Sequence, residues 1–180
     1  MTRLAIVDPA SASGRAKEIL DGPLKGKHFN IFKGMANSGA ALDAYVSMSG
    51  ALSRGLLTAA EREAIALAVA EANQCDYCLA AHTALAKAAG LAEARTLEAR
   101  RGSIPGDPKL DALVKFAMRL HEKKGFVSDA DLQTVRAAGY TDAHIVEIIA
   151  NYALNIFTNY FNHVNRTAVD FPAPPLLPRP

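Results

Sequence analysis

A chain of 180 residues can bury a core without disulfide staples and is most economically one domain, residues 1–180. Half of its residues are hydrophobic, alanine is abundant and tryptophan is absent, a composition suited to a compact all-α protein. The formal charge is only +2, with acids and bases scattered along the chain, so no basic stripe offers itself to nucleic acid.

The opening MTRLAIVDPASASGRAKEIL has neither a continuous apolar run nor a cleavage-site pattern, so a cytoplasmic protein is expected. Residues up to about 28 are rich in Gly, Pro and Ser and read as an irregular or partly helical lead-in. From Asn37 to about Ser53, Ala41, Leu42, Tyr45, Met48 and Leu52 recur at helical spacing, with Gly55 expected to end the helix in a left-handed conformation. Thr58 and Glu61 have capping-box form and open a helix whose apolar residues include Ile65, Leu67, Ala68 and Val69. A break or kink is expected at Asn73-Gln74, followed by a helix running to Gly90 and a short one from about Ala92 to Arg100. Asp107-Pro108 reads as an N-cap followed by proline in the first helical position, opening a helix that ends near Gly125. Ser128 starts the next helix, Gly139 closes it, and Thr141 caps a long helix to about Asn165. Glu147, Asn151, Asn155 and Asn159 interrupt the apolar stretch from Ile145 to Phe161, which reads as a buried helix and not a membrane span. The proline-rich tail, from about residue 170, is expected to lie extended over the surface or over a neighbouring subunit. No alternating strand pattern occurs, and six to eight helices are expected at roughly typical lengths.

Both cysteines of the chain, Cys75 and Cys78, fall in the segment CDYCLAAH, with His82 four residues after the second. Residues three apart on a helix are separated by about 60° around its axis, and their Cα atoms lie within the roughly 4.4–6.8 Å that a disulfide tolerates. The helix N-terminus favours thiolate, the form that reacts with peroxides and disulfides. His82 is at i+4 from Cys78, where helical side chains meet, and two turns from Cys75. Cys78 is therefore the thiol with a base at hand, and Cys75 is placed to attack a sulfenic acid formed on it. A carboxylate should orient the imidazole; spacing leaves both Glu63 and Glu71 as candidates. Two plainer readings stand beside this one. The pair could be half of a zinc site needing distant ligands, or two inert buried cysteines.

These residues resemble the AhpD-like alkylhydroperoxidase branch of the carboxymuconolactone decarboxylase superfamily, whose core is a glutamate followed by Cys-x-x-Cys-x-x-x-His. The match is EAIALAVAEANQCDYCLAAH, with supporting similarity in NSGAALDAYVSMSGAL, LTAAEREAIALAVA and TDAHIVEIIANYALNIFTNYFNHV, spanning roughly residues 29–172. The resemblance implies an AhpD-like helical bundle assembled as a homo-oligomer of two, three or six chains. It implies a cofactor-free and metal-free peroxidase in which Cys78 attacks an alkyl hydroperoxide or hydrogen peroxide. Cys75 then closes a redox-active disulfide, His82 acts as proximal base and Glu63 as relay carboxylate. An external dithiol, lipoylated or thioredoxin-like, would restore the thiols. The sequence departs from the better-known peroxidases in carrying Tyr77 where they have a histidine, so a thiol–disulfide oxidoreductase or redox sensor is the alternative. Lactone chemistry belongs to a branch lacking the cysteine pair.

His163, on an apolar helix, is a possible accessory residue within the fold or across a subunit interface. His121 and His144 read as surface residues, and Phe157, Tyr160 and Phe161 as core or interface packing.

Overall fold

The computed structural model describes residues 2–177, which form nine α-helices and no strand. These are α1 (Gly14–Asp21), α2 (Asn30–Met35), α3 (Gly39–Leu52), α4 (Ala59–Ala72), α5 (Asp76–Ala88), α6 (Glu93–Arg100), α7 (Pro108–Glu122), α8 (Asp129–Ala137) and α9 (Asp142–Asn165). The count exceeds the expected six to eight because two short helices precede Asn37, α1 within the lead-in and α2 just after it. Neither has a side-chain cap at its N-terminus, so their starts carry no signature in the sequence.

Helix α4 organises the rest. Every residue from Ala64 to Ala70 is buried, the pattern of a helix surrounded by packing on all sides. Its many alanines let neighbours approach closely, and α5, α6, α7 and α9 all pack on it. Two apolar clusters result. One joins α4 to α6, α7, α8 and α9 around Leu67, Leu113, Tyr140 and Ile148. The other gathers α1, α2, α3 and α5 and contains both cysteines.

The start of α4 is fixed by the capping box expected from Thr58 and Glu61. Glu61 is buried and also accepts a hydrogen bond from the Tyr140 hydroxyl at 2.8 Å. Burial pushes its carboxyl upward, but the Thr58 amide, the Tyr140 and Thr58 hydroxyls and nearby Lys109 outweigh this and hold it below the ordinary value. Glu61 is thus a structural acid.

Two expectations need correcting. Gly55 is not left-handed; α3 ends at Leu52 with Ser53 as an ordinary right-handed C-cap. Gly55 instead makes room for Glu147, whose Oε2 would lie 2.5 Å from a Cβ at that position. That carboxylate accepts from the Leu56 amide at 2.8 Å and the Leu57 amide at 3.1 Å, tying the α3–α4 loop to α9.

The second correction concerns α9, which is not buried all round. Asn151, Asn155, Asn159, Asn162 and Asn165 face inward, while Val146, Ile149, Phe157, Tyr160 and Val164 are exposed. Phe161 alone of the three aromatic residues packs against the core. The asparagines are accommodated by bonding. Asn151 and Asn155 donate to the carbonyls one turn back, Glu147 O and Asn151 O, at 2.8 and 2.9 Å. Asn159 Oδ1 accepts from Asn73 at 3.0 Å, and Asn165 Oδ1 accepts from the Leu4 amide at 3.1 Å. No helix among the described residues is long and apolar enough to cross a membrane.

After α9 the chain runs extended. Thr167 to Leu177 lie without helix over α2 and α6, and Arg100 donates to the Pro175 carbonyl at 2.6 Å. The expected extended tail is seen to residue 177; residues 178–180 lie outside the described part.

Glu147→Ala should accelerate amide exchange at Leu56 and Leu57 and lower stability by about 1 kcal/mol, as for a partly exposed charged hydrogen bond. Gly55→Ala should do the same by displacing the carboxylate. Exchange mass spectrometry with a thermal melt checks both; unchanged exchange at these two amides would dismiss the tie.

Candidate active site

The break expected at Asn73-Gln74 is a tight reversal. Asn73 caps α4 and Gln74 takes a left-handed conformation, φ 55°, from which the chain turns into α5. Asn73 Nδ2 is shared between the Val69 carbonyl and Asn159 Oδ1, each at 3.0 Å, so α9 pins the reversal from outside. Cys75 lands as the N-cap of α5, its sulfur accepting from the Cys78 amide at 3.3 Å. The two sulfurs are bonded as a disulfide, with Cα atoms 5.3 Å apart, and both residues are buried.

The reversal lays α5 back along α4 and decides between the candidate acids. Glu63 Oε2 lies 2.8 Å from His82 Nδ1, both side chains being about one-fifth exposed at 18% and 22%. Glu71 is engaged elsewhere, held at 2.7 Å by the buried guanidinium of Arg100. Glu63 and not Glu71 therefore meets the histidine.

Cys78 and His82 line one cavity of about 420 Å³. Its wall is mainly apolar and aromatic, with Leu24, Phe29, Phe32, Val46 and Leu85 contributing, while Thr158 and Asn162 stand near the thiol end. His82 also borders a smaller, more polar chamber of about 190 Å³ that includes Glu63, Arg62, Asn151 and Asn155. The imidazole thus lies between an apolar space and a polar one.

Asn162 was absent from the sequence-derived site. Its Nδ2 donates to Cys78 Sγ at 3.3 Å, and its Oδ1 is buried with no partner among the described residues. The only available signal was its place in the asparagine series of α9, which reads as interruption of an apolar helix.

Tyr77 is buried, and its hydroxyl donates to Asp170 Oδ1 at 2.8 Å and receives the Ile31 amide at 3.4 Å. The other Asp170 oxygen accepts from the Asn30 amide at 2.6 Å. Phe171 packs on Phe29, with ring centroids 4.5 Å apart, and meets Tyr77 edge-on. Burial, then the Asp170 carboxylate, push the Tyr77 phenol well above its ordinary range. It stays protonated and serves as cavity wall and clasp for the tail.

His163 is exposed, stacks on Tyr160, and borders a groove on the Cys75 side, away from His82. His144 completes the Thr141 capping box, and half-buried His121 pairs with the Tyr152 hydroxyl at 3.3 Å; neither reaches the thiols. Among the described residues, no three His, Cys, Asp or Glu side chains gather as a metal ion would require.

A sequence profile described as the carboxymuconolactone decarboxylase family matches residues 39–117, the stretch that supplies Glu63, both cysteines and His82. The fold matches a crystal structure described as alkylhydroperoxidase AhpD core, an uncharacterized peroxidase-related protein of Ralstonia eutropha JMP134. That match has TM-score 0.81 and 25% identity, over 94% of this chain and 92% of the other. The chain thus has the AhpD-like helical fold, and its residues 39–117 are similar to the carboxymuconolactone decarboxylase family. An uncharacterized peroxidase-related protein of Silicibacter sp. TM1040 shares the fold at TM-score 0.76 and 24% identity, over 92% of this chain and 89% of the other. So does the debrominase Bmp8, at TM-score 0.76 and 16% identity, over 94% and 93% of the two chains. No curated protein matches the sequence significantly. The AhpD-like scaffold thus carries more than one kind of protein, and the chemistry of this one must be argued from its own side chains.

Tyr77→Phe should leave the cavity wall in place but release the tail, since the lost hydrogen bond to an exposed carboxylate is worth about 1 kcal/mol. Limited proteolysis should then cut between Thr167 and Leu177 several-fold faster, as expected when local opening becomes easier. Unchanged cleavage would mean that Phe171, Asn30 and Arg100 seat the tail without the Tyr77 hydroxyl.

Proposed function

We propose that this AhpD-like protein is a thiol-dependent peroxidase that reduces an organic hydroperoxide or hydrogen peroxide and is recycled by an external dithiol. The observation that carries the reading is the 2.8 Å contact of Glu63 with His82, a histidine that lines the same cavity as Cys78, whose sulfur is joined to Cys75. With Glu63 ionised, the imidazole keeps its proton on Nδ1 and leaves Nε2 free to accept one.

In the reduced protein His82 takes the Cys78 proton. The Cys78 sulfur then attacks the terminal peroxide oxygen, the O–O bond breaks, and the leaving alkoxide receives the proton as alcohol. Asn162 Nδ2 holds the sulfur during this step. The product on Cys78 is a sulfenic acid. Cys75 attacks that sulfur, water leaves with a proton supplied through His82 and Glu63, and the disulfide forms. A dithiol then returns two electrons and two protons. The family resemblance supports a lipoylated or thioredoxin-like partner in that role. The apolar cavity suits an organic peroxide body, since ligand sites typically span about 300–1,000 Å³.

One observation favours a second reading. The Tyr77 phenol is committed to Asp170 and offers the peroxide leaving group no proton. A thiol–disulfide oxidoreductase or redox sensor would need no such donor. Peroxide consumption with dithiothreitol as reductant separates the two. Cys78→Ser should abolish turnover, and Glu63→Gln should lower it about 10²-fold or more, as for loss of a positioned acid–base group. Rapid dithiol exchange without peroxide turnover in the native protein would select the second reading.

We further propose that the chain self-associates through the outer face of α9. Val146, Ile149, Ala153, Phe157, Tyr160 and Val164 follow one another at spacings of three or four and are all exposed, a stripe of the kind by which helices pair. Phe157→Glu should shift the mass measured by light scattering toward the 19.1 kDa monomer without changing the circular dichroism spectrum. A native protein already monomeric at micromolar concentration would end the proposal.

A further inference from the structure

The disulfide is bordered by two separate spaces. Cys78 but not Cys75 belongs to the 420 Å³ cavity. Cys75 but not Cys78 belongs to a more open groove of about 370 Å³. Tyr77 and Asn162 line both and form the partition. The two spaces also differ in chemistry. The cavity is walled mainly by apolar side chains, whereas the groove carries the Gln74 amide, the Asp76 carboxylate, the His163 imidazole and the Arg166 guanidinium, with Val169 at its side. His163 is exposed, and Arg166 makes no ion pair among the described residues. The peroxide chemistry uses none of these groups.

We propose that this groove is where the external dithiol approaches, and that Cys75 is the sulfur it attacks. The inference rests on the dithiol cycle proposed above, but not on peroxide being its oxidant. Displacement at sulfur runs in line with the bond that breaks, so the attack on Cys75 comes from the side away from Cys78, and of the two cysteines only Cys75 lines the groove. Exchange is faster when the departing sulfur is the more stable thiolate. Cys78 departs toward Asn162 Nδ2, at 3.3 Å, within the first turn of α5 and into the cavity shared with His82.

The steps balance. A reductant thiolate bonds to Cys75 Sγ, the Cys75–Cys78 bond breaks, and Cys78 becomes a thiolate. The reductant's second thiol, giving its proton to His163, attacks the reductant sulfur of the mixed disulfide. Cys75 leaves as thiolate and takes up a proton, and the reductant departs as its own disulfide. Two electrons and one proton have passed to the pair, and Cys78 stays a thiolate until it takes up the proton that the reductant's first thiol had released to solvent. Peroxide and reductant then need not compete for one opening.

The test uses native protein oxidised by diamide, so that no peroxide is involved. Excess 2-mercaptoethanol, a monothiol that can complete the second step only through a second molecule, is added, the mixture is quenched in acid at the earliest times, before that second attack, and the adduct is located by tandem mass spectrometry. The adduct is expected on Cys75, in excess over Cys78 by about tenfold or more, because the better leaving group sits at Cys78. An adduct mainly on Cys78, or evenly divided, overturns the proposal. As a second measurement, Val169→Trp should fill the groove and slow reduction by dithiothreitol about tenfold or more through lost access to the attacked sulfur. Oxidation of the reduced variant by cumene hydroperoxide should change by less than about twofold, since its approach is separate. Reduction at the native rate, or slowing confined to the peroxide step, overturns the proposal. A protein inert to peroxide would fail the peroxidase reading and leave the trapping result standing.

Discussion

The reversal between α4 and α5 is the constraint on which the site depends. Two residues, Asn73 and Gln74, turn the chain back so that a glutamate in α4 and a histidine in α5, 19 positions apart, come into hydrogen-bonding contact. The same turn places Cys75 at a helix start, within bonding reach of Cys78. A left-handed glutamine is an uncommon conformation that the surroundings must hold in place. Here the holding group is Asn159, reaching from α9 to the side chain of Asn73. The last helix thus acts on the thiols twice, through Asn159 at the turn and through Asn162 at the sulfur.

That gives α9 an unusual division of labour. A helix of a globular protein ordinarily turns its apolar stripe inward and its amides outward. In α9 the amides face the protein, where they pair with backbone carbonyls, with a turn, with a sulfur and with the N-terminal segment. Buried polar groups are tolerated when bonded, and most of these are. The apolar residues displaced from the interior form the exposed stripe on the other face of the same helix.

Much of this was legible in the chain. Thr58 with Glu61, Asp107 with Pro108, Ser128 and Thr141 mark helix starts because capping has specific chemical requirements, and all four cap as expected. The spacing of the cysteines allowed a disulfide, and one is present. What the spacing could not decide was which acid meets His82. Glu63 and Glu71 are two helical turns apart on the same element, and only the angle of the reversal and the competing claim of Arg100 separate them. Asn162 and Asp170 were invisible because their partners lie 84 and 93 residues away. Gly55 misled for a related reason. A glycine after a helix ordinarily signals a left-handed cap, whereas this one clears space for a carboxylate from α9.

The cap of α5 carries a consequence of its own. Oxygen-bearing side chains usually fill that position; here a sulfur does, and it is one of the two joined in the disulfide. A thiolate accepts a hydrogen bond more strongly than the sulfur of a disulfide, because the charge assists it. A Cys75 thiolate would therefore fasten the first turn of the helix more firmly than the disulfide sulfur that now caps it. Tyr77 lies in that turn and grips Asp170, so the sulfur cap and the anchor of the chain's final segment share one turn of helix.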